Sequence, residues 1–142
     1  MQELAPRRPR VLVVDDAAEM AEILVWDLVH HGYEGVAATS GHEALRLLRK
    51  GRFDAVVTDL CMPELDGLAV LRHSYDLDPS RPVVMMTAHG SINTALEAAE
   101  EGAFQYLTKP FRIDALLRVL DRALRASLGP PGWARRRAAK LS

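Results

Sequence analysis

The sequence predicts an α/β fold, a parallel β-sheet covered on both faces by helices. The runs Val11–Val14, Ala55–Thr58 and Val83–Met86 are apolar or small at nearly every position rather than at alternate ones, the pattern of strands buried on both sides. They alternate with segments whose apolar residues recur at three- and four-residue spacing, as in βαβ units. Each strand-like run also stops at polar chemistry: at Asp15-Asp16, at Asp59, at Thr87 and, after Tyr106-Leu107-Thr108, at Lys109. Parallel strands point one way, so these ends share the carboxyl edge, where open α/β sheets bind ligands.

The elements follow in order. Met1 to Pro9 carries prolines and arginines without a period and reads as a leader. After the first strand, Met20, Ile23, Leu24 and Leu28 have helical spacing, and His30-His31-Gly32 suits a helix C-terminus. Glu34 to Ala38 fits a short second strand. Ser40-Gly41-His42-Glu43 reads as a capping box opening a helix with Ala44, Leu45, Leu47 and Leu48, which Gly51 closes. The third strand, Asp54 to Thr58, reaches Asp59, and Asp66 is placed to cap the next helix. Pro79 and Pro82 frame the entry to the fourth strand. Ser91 reads as the N-cap of a helix carrying Ile92, Ala95, Leu96 and Ala99, ended by Gly102. The fifth strand, Phe104 to Leu107, leads through Lys109-Pro110 to a last helix with Ile113, Leu117, Leu120 and Leu124 on one stripe. Beyond it, Gly129-Pro130-Pro131-Gly132 breaks any helix, and Trp133 and Arg135 to Arg137 follow without a period. The expected division is a leader at 1–9, one folded domain at 10–127 and a tail or linker stub at 128–142.

A chain of 142 residues is large enough for one two-sided core. A formal net charge of −1 gives no overall electrostatic case for nucleic-acid or membrane partners. The lone Cys61 has no internal disulfide partner, and no apolar segment is long enough to span a bilayer, so a reducing cytoplasm is the expected setting.

Three carboxylates, a hydroxyl and an ammonium at one edge suit a phosphoryl-accepting site. A carboxylate attacks phosphorus only if a cation offsets the repulsion between two anions. Asp15, Asp16 and Asp59 are hard oxygen donors of the kind Mg²⁺ selects, and without metal their mutual repulsion should raise at least one pKa. Lys109 can pair with a phosphoryl oxygen and Thr87 can donate its hydroxyl to another. Taken singly, the acidic pair could be a helix cap, Lys109 a solvated lysine, Thr87 a turn residue and Tyr106 a half-buried strand aromatic; their shared edge joins them.

These residues and their flanks, over roughly Arg10 to Ser127, resemble the receiver domain of bacterial two-component response regulators. The resemblance implies a flavodoxin-like, doubly wound sheet of five parallel strands in the order 2-1-3-4-5, a three-layer sandwich. It makes Asp59, in Val57-Thr58-Asp59-Leu60-Cys61-Met62-Pro63, the phosphoacceptor. Asp15 and Asp16 become the metal-binding pair, with Asp16 the more direct ligand, and the Cys61 carbonyl completes the protein's share of Mg²⁺ coordination. Thr87 matches the switch hydroxyl, Tyr106 the switch aromatic and Lys109 the family's lysine, joined to Pro110 by a cis bond. The implied donor is a sensor histidine kinase. The implied output is switched binding of a partner or output domain through the surface of the fourth helix, fifth strand and fifth helix. Homodimerisation on that surface, with Arg112, Asp114, Arg118 and Asp121, is the expected variant. The stretches Met86 to Ser91 and Gly102 to Phe111 look most like receivers of the nitrogen-regulator type, which control transcription. No phosphate-binding glycine loop is present, so the segment is expected to be a switch rather than an ATPase, with no direct nucleic-acid or membrane contact.

Two other readings compete. A Mg²⁺-dependent aspartyl-phosphate phosphatase or phosphotransferase acting on a small substrate would need a second acid near Asp59, where Cys61 stands, and a cap region. A flavin binder would need a first loop less acidic than Asp15-Asp16. Cys61 itself, the histidines and the tail arginines carry no metal-ligand spacing or apolar period that assigns them chemistry.

Overall fold

The computed structural model describes residues 7–88 and 92–126. Five strands, β1 (Arg10–Val14), β2 (Glu34–Ala38), β3 (Ala55–Asp59), β4 (Val83–Thr87) and β5 (Gln105–Thr108), alternate with five helices. These are α1 (Ala18–His30), α2 (Gly41–Lys50), α3 (Gly67–Leu77), α4 (Ile92–Glu101) and α5 (Ile113–Ala126). The strands pair in parallel in the order β2-β1-β3-β4-β5, as the family resemblance implied.

Alternate side chains of the buried strands feed two cores. Leu12, Val14, Val56, Val83 and Met85 face α2, α3 and α4, whereas Val11, Val13, Val57, Val84 and Met86 face α1 and α5. With both faces covered, each strand gains from every side chain, which is why the runs read as continuous rather than alternating.

The caps hold the helices in place. Ser40 accepts from the Glu43 amide at 3.0 Å, and the Glu43 carboxylate accepts from the Thr39 amide at 2.7 Å, one residue earlier than the usual capping-box return. Asp66 accepts from the Ala69 amide at 3.0 Å, as its position predicted. Two strands shift slightly from the sequence reading: β3 begins one residue later and includes Asp59, and β5 spans 105–108. The Ser91 cap lies outside the described residues.

Three helical stripes differ from expectation. In α1 the sheet takes Ala21, Leu24 and Leu28, while Met20 and Ile23 face outward; the helix is apolar on more than one side, so periodicity alone does not choose the buried row. In α5 the buried row is Leu116, Val119, Leu120 and Ala123, and Ile113, Leu117 and Leu124 lie half-buried on its flank. In α4 it is Ala98 that packs inward, leaving Leu96 and Ala99 exposed; the side chains of Ile92 and Ala95 lie outside the description.

Arg81 was not anticipated. It is buried just before β4, where its Nε donates to the Ser74 hydroxyl at 2.9 Å and its Nη2 to the Ser74 carbonyl at 3.2 Å. Burial pulls its pKa down, and the nearby Asp78 charge opposes that. The guanidinium thus closes the carbonyl end of α3, where the helix dipole is negative.

Candidate functional site

At the carboxyl edge of the sheet, Asp15, Asp16 and Asp59 each bring a carboxylate oxygen within 4.8 Å of the other two. Asp15 follows β1 directly. Its amide donates to the Ala38 carbonyl at 3.0 Å, its Oδ1 accepts from the Ala17 amide at 2.9 Å, and it is 1% exposed. The cap role that position alone allowed is not taken up: α1 is entered through Ala17 without a side-chain cap, the Asp15 Oδ1 bond is a local Asx turn ahead of it, and Oδ2 is left to face the site. Asp16 is exposed. Asp59 ends β3 and is 8% exposed.

Lys109 ties the two buried carboxylates together. Its Nζ donates to Asp15 Oδ2 at 2.7 Å and to Asp59 Oδ2 at 3.4 Å. The backbone places it: Thr87 pairs with Thr108 across β4 and β5, and the Lys109 amide donates to the Thr87 carbonyl at 2.7 Å. The Lys109-Pro110 bond is cis. Burial lowers the ammonium's pKa, but the Asp15 hydrogen bond and the charges of Asp59 and Asp15 outweigh it, so the net displacement is upward. Lys109 is thus a fixed cation.

Asp59 has a raised pKa. Burial is the largest cause, Lys109 pulls the other way, Asp15 adds repulsion, and the Cys61 amide opposes. One carboxyl pKa rises, as the sequence led us to expect, though solvent exclusion contributes more than mutual repulsion. Three hard donors crowded at this spacing, one of them reluctant to ionise, fit a small divalent cation.

The remaining predicted residues sit around this cluster. Thr87 is buried at the end of β4, whose Met86 pairs with Asp59. Tyr106 lies on β5 opposite Met85, half-buried against the core shared with α3 and α4. Cys61 is exposed in the loop after β3. Arg112, Asp114, Arg118 and Asp121 are all exposed around α5, with Arg112 3.6 Å from Asp114 and Arg125 3.1 Å from Asp121.

Gly67 was missed as a site residue. A Cβ there would collide with the Asp59 carbonyl oxygen and lie 2.8 Å from Leu60 Cα, so α3 can begin against the Asp59 strand only with glycine. Its amide donates to the Leu60 carbonyl at 2.9 Å. A glycine at the first helical position, directly after the capping Asp66, was the available signal.

The response regulator receiver domain pattern matches residues 11–121. The chain belongs to the response regulator receiver domain family. The receiver is 41% identical over 117 residues to the transcriptional regulatory protein GlrR of Escherichia coli (strain K12), covering 82% of this chain and 26% of that protein. The chain thus spans about a quarter of the length of the curated relatives it matches. Its fold superposes with a TM-score of 0.78 and 32% identity on the beryllofluoride-activated NtrC4 receiver domain dimer, covering 83% of this chain and 98% of that one. A response regulator from Burkholderia pseudomallei with a phosphorylated aspartic acid, a calcium ion and citrate superposes with a TM-score of 0.74 and 28% identity, covering 94% of this chain and 73% of that one. The receiver is therefore of the kind carried by transcriptional regulators of the nitrogen-regulator type. Among the described residues no helix is long and apolar enough to cross a membrane.

Proposed function

We propose that the receiver accepts a phosphoryl group on Asp59 from a sensor histidine kinase and, in that state, switches the binding of a partner or output domain in transcriptional control. The observation that carries this reading is the bridge from Lys109 to both buried carboxylates, at 2.7 Å to Asp15 and 3.4 Å to Asp59. An Asp59 oxygen attacks phosphorus, the bond from phosphorus to the donor's imidazole nitrogen breaks, and that nitrogen keeps the electron pair; with a proton on the other ring nitrogen, the donor is left as neutral histidine. Lys109 is placed to exchange its longer contact with Asp59 for one with a phosphoryl oxygen.

Asp15, Asp16, Asp59 and the Cys61 carbonyl would hold Mg²⁺, which when bound supplies countercharge between the two anions. Phosphorylation adds charge and acceptor oxygens beside Thr87. Thr87 then moves toward the phosphoryl group and Tyr106 packs inward, remodelling the α4, β5 and α5 surface. That surface, with Arg112, Asp114, Arg118 and Asp121, serves a homodimer or an output domain; the NtrC4 receiver assembled as an activated dimer supports the first. The chemistry stops at acceptance and hydrolysis of one phosphoryl group, which makes the chain a switch rather than a turnover enzyme. A kinase donor and transcriptional output support a cytoplasmic setting.

Acetyl phosphate and Mg²⁺ test the assignment. Intact-mass spectrometry is expected to show one added phosphoryl group on the wild type and none on Asp59→Asn. Equal modification of both would remove Asp59 as the nucleophile.

A further inference from the structure

Among the described residues one buried cation has no carboxylate against it. Arg81 is 5% exposed. Of the five N–H groups that a guanidinium carries, Ser74 takes two, one on Nε at 2.9 Å and one on Nη2 at 3.2 Å. The others have no acceptor among the described residues, and no acid lies within ion-pair distance. Buried charges are ordinarily paired, because an uncompensated one is among the costlier arrangements a fold can hold.

The unused donors have a definite geometry. Ser74 occupies the side of the guanidinium formed by Nε and Nη2. Its end, formed by Nη1 and the second hydrogen of Nη2, is left over: two parallel donors spaced for two oxygens of one carboxylate or phosphate group. Arg81 lines a cavity of about 230 Å³ together with Arg52, Asp54, Asp78 and Ser80. A water molecule takes about 30 Å³ of liquid volume, so the space suits an anion of a few heavy atoms with part of its hydration.

The acids on the cavity wall are already engaged. Asp54 accepts from the Arg10 amide at 2.7 Å and from Arg52 Nη1 at 3.2 Å. Asp78 accepts from the Ser80 hydroxyl at 2.6 Å and from its amide at 3.0 Å. Asp78 reaches Arg81 only through space, and burial still holds the Arg81 pKa below its ordinary value. Arg10 begins β1, and Arg49, Lys50 and Arg52 end α2 or follow it, so basic side chains gather at the same amino-terminal edge of the sheet. The helix dipole accounts for Arg49 and Lys50 at a carbonyl end, but not for the free end of an enclosed guanidinium. The carboxylate cluster of Asp15, Asp16 and Asp59 stands at the opposite edge.

We infer that this cavity is a binding site for a small oxyanion, a carboxylate or phosphate group held end-on by the Arg81 fork with Arg52 at the rim. The Arg52 side chain is 48% exposed, so it is free to turn from Asp54 toward the cavity mouth. Arg81 joins the end of α3, through Ser74, to the start of β4, the strand whose far end carries Thr87. A bound anion therefore braces that junction from the edge away from Asp59. The site stands apart from the phosphoryl chemistry, and its failure would leave the reading of Asp59 untouched.

Amide NMR of the full chain in chelator, titrated separately with sodium phosphate and sodium acetate at constant ionic strength, tests it. At least one of the two anions is expected to give saturable shifts at the Arg52, Ser80 and Arg81 amides, and the one that saturates names the oxyanion class. Arg81→Lys keeps the charge and loses the fork, and should weaken that binding about tenfold or more, with signals remote from Ser74 and Arg81 unchanged. The wild-type titration decides the matter even if Arg81→Lys fails to fold. Shifts that never saturate with either anion overturn the proposal and leave the guanidinium to water. Shifts confined to amides around Asp59 and Lys109 also overturn it, because the anion then sits in the phosphoryl site. Equal affinity in a folded Arg81→Lys removes the fork on which the proposal rests.

Discussion

Replacing Asp59 by asparagine is expected to stabilise the fold. An aspartate in an unfolded chain ionises near pH 4. In the native receiver Asp59 keeps its proton to higher pH, because burial, helped by repulsion from Asp15, outweighs the pull of Lys109. The folded chain therefore binds more protons than the unfolded one between those two pKa values, and stability falls as pH rises through that window. Above it the whole loss is present. Asparagine keeps the shape and removes the charge, and Lys109 keeps its shorter contact, at 2.7 Å to Asp15. The relief amounts to about 1–2 kcal/mol, the scale expected for an under-compensated buried charge. For a domain of this size it corresponds to a rise in Tm of roughly 3–10 °C.

The assay is thermal unfolding followed by circular dichroism, in chelator and in Mg²⁺, between pH 4 and 8. In chelator at pH 7.5 Asp59→Asn should melt above the wild type, and the gap should shrink as the pH falls. With Mg²⁺ at ten times its Kd the wild type should gain about 1.4 kcal/mol, narrowing the gap from the other side. An asparagine variant that melts below the wild type in chelator at pH 7.5 would refute the reasoning. It would mean that the 3.4 Å contact with Lys109 stabilises Asp59 more than burial and Asp15 oppose it.

Three other outcomes follow from the geometry. Lys109→Gln should slow phosphorylation by acetyl phosphate about 100-fold or more, the usual loss on removing one charge-stabilising donor, with the rate read by intact mass. Gly67→Ala should cost about 1–3 kcal/mol in urea denaturation, because its Cβ has no room beside the Asp59 carbonyl. Arg81→Ala should cost about 2 kcal/mol in the same assay, through the unpaired buried Ser74 hydroxyl and the lost cap on α3; an unchanged midpoint would show that burying the guanidinium cancels its hydrogen bonds.

The parts legible in the sequence were those with a local cause. A strand buried on both faces must be apolar throughout, so Val11 to Val14 and Val83 to Met86 announced themselves, and the polar residue after each run located the site. Caps were equally visible, since Ser40 and Asp66 act within three residues of themselves. What depended on distant neighbours was harder to see. Which of the apolar residues on α1 meets the sheet was not decided by spacing, because the helix is apolar on more than one side; Ala21 is buried and Ile23 turns outward. Gly67 matters because of the Asp59 backbone, and Arg81 because of Ser74, contacts that no periodicity reports. Asp59's raised pKa was expected from like charges, whereas solvent exclusion proves the larger cause.

The 2.7 Å bond from the Lys109 amide to the Thr87 carbonyl sets a ruler inside the receiver. The hydroxyl-bearing residue and the ammonium-bearing residue hang from opposite ends of a single main-chain rung, so their separation is inherited from sheet geometry and owes nothing to the loops that follow. Insertions or deletions just after Ala88, or between Pro110 and Ile113, can therefore accumulate without altering that spacing. Lineages can reshape the rim for new partners while the anchoring points stay put.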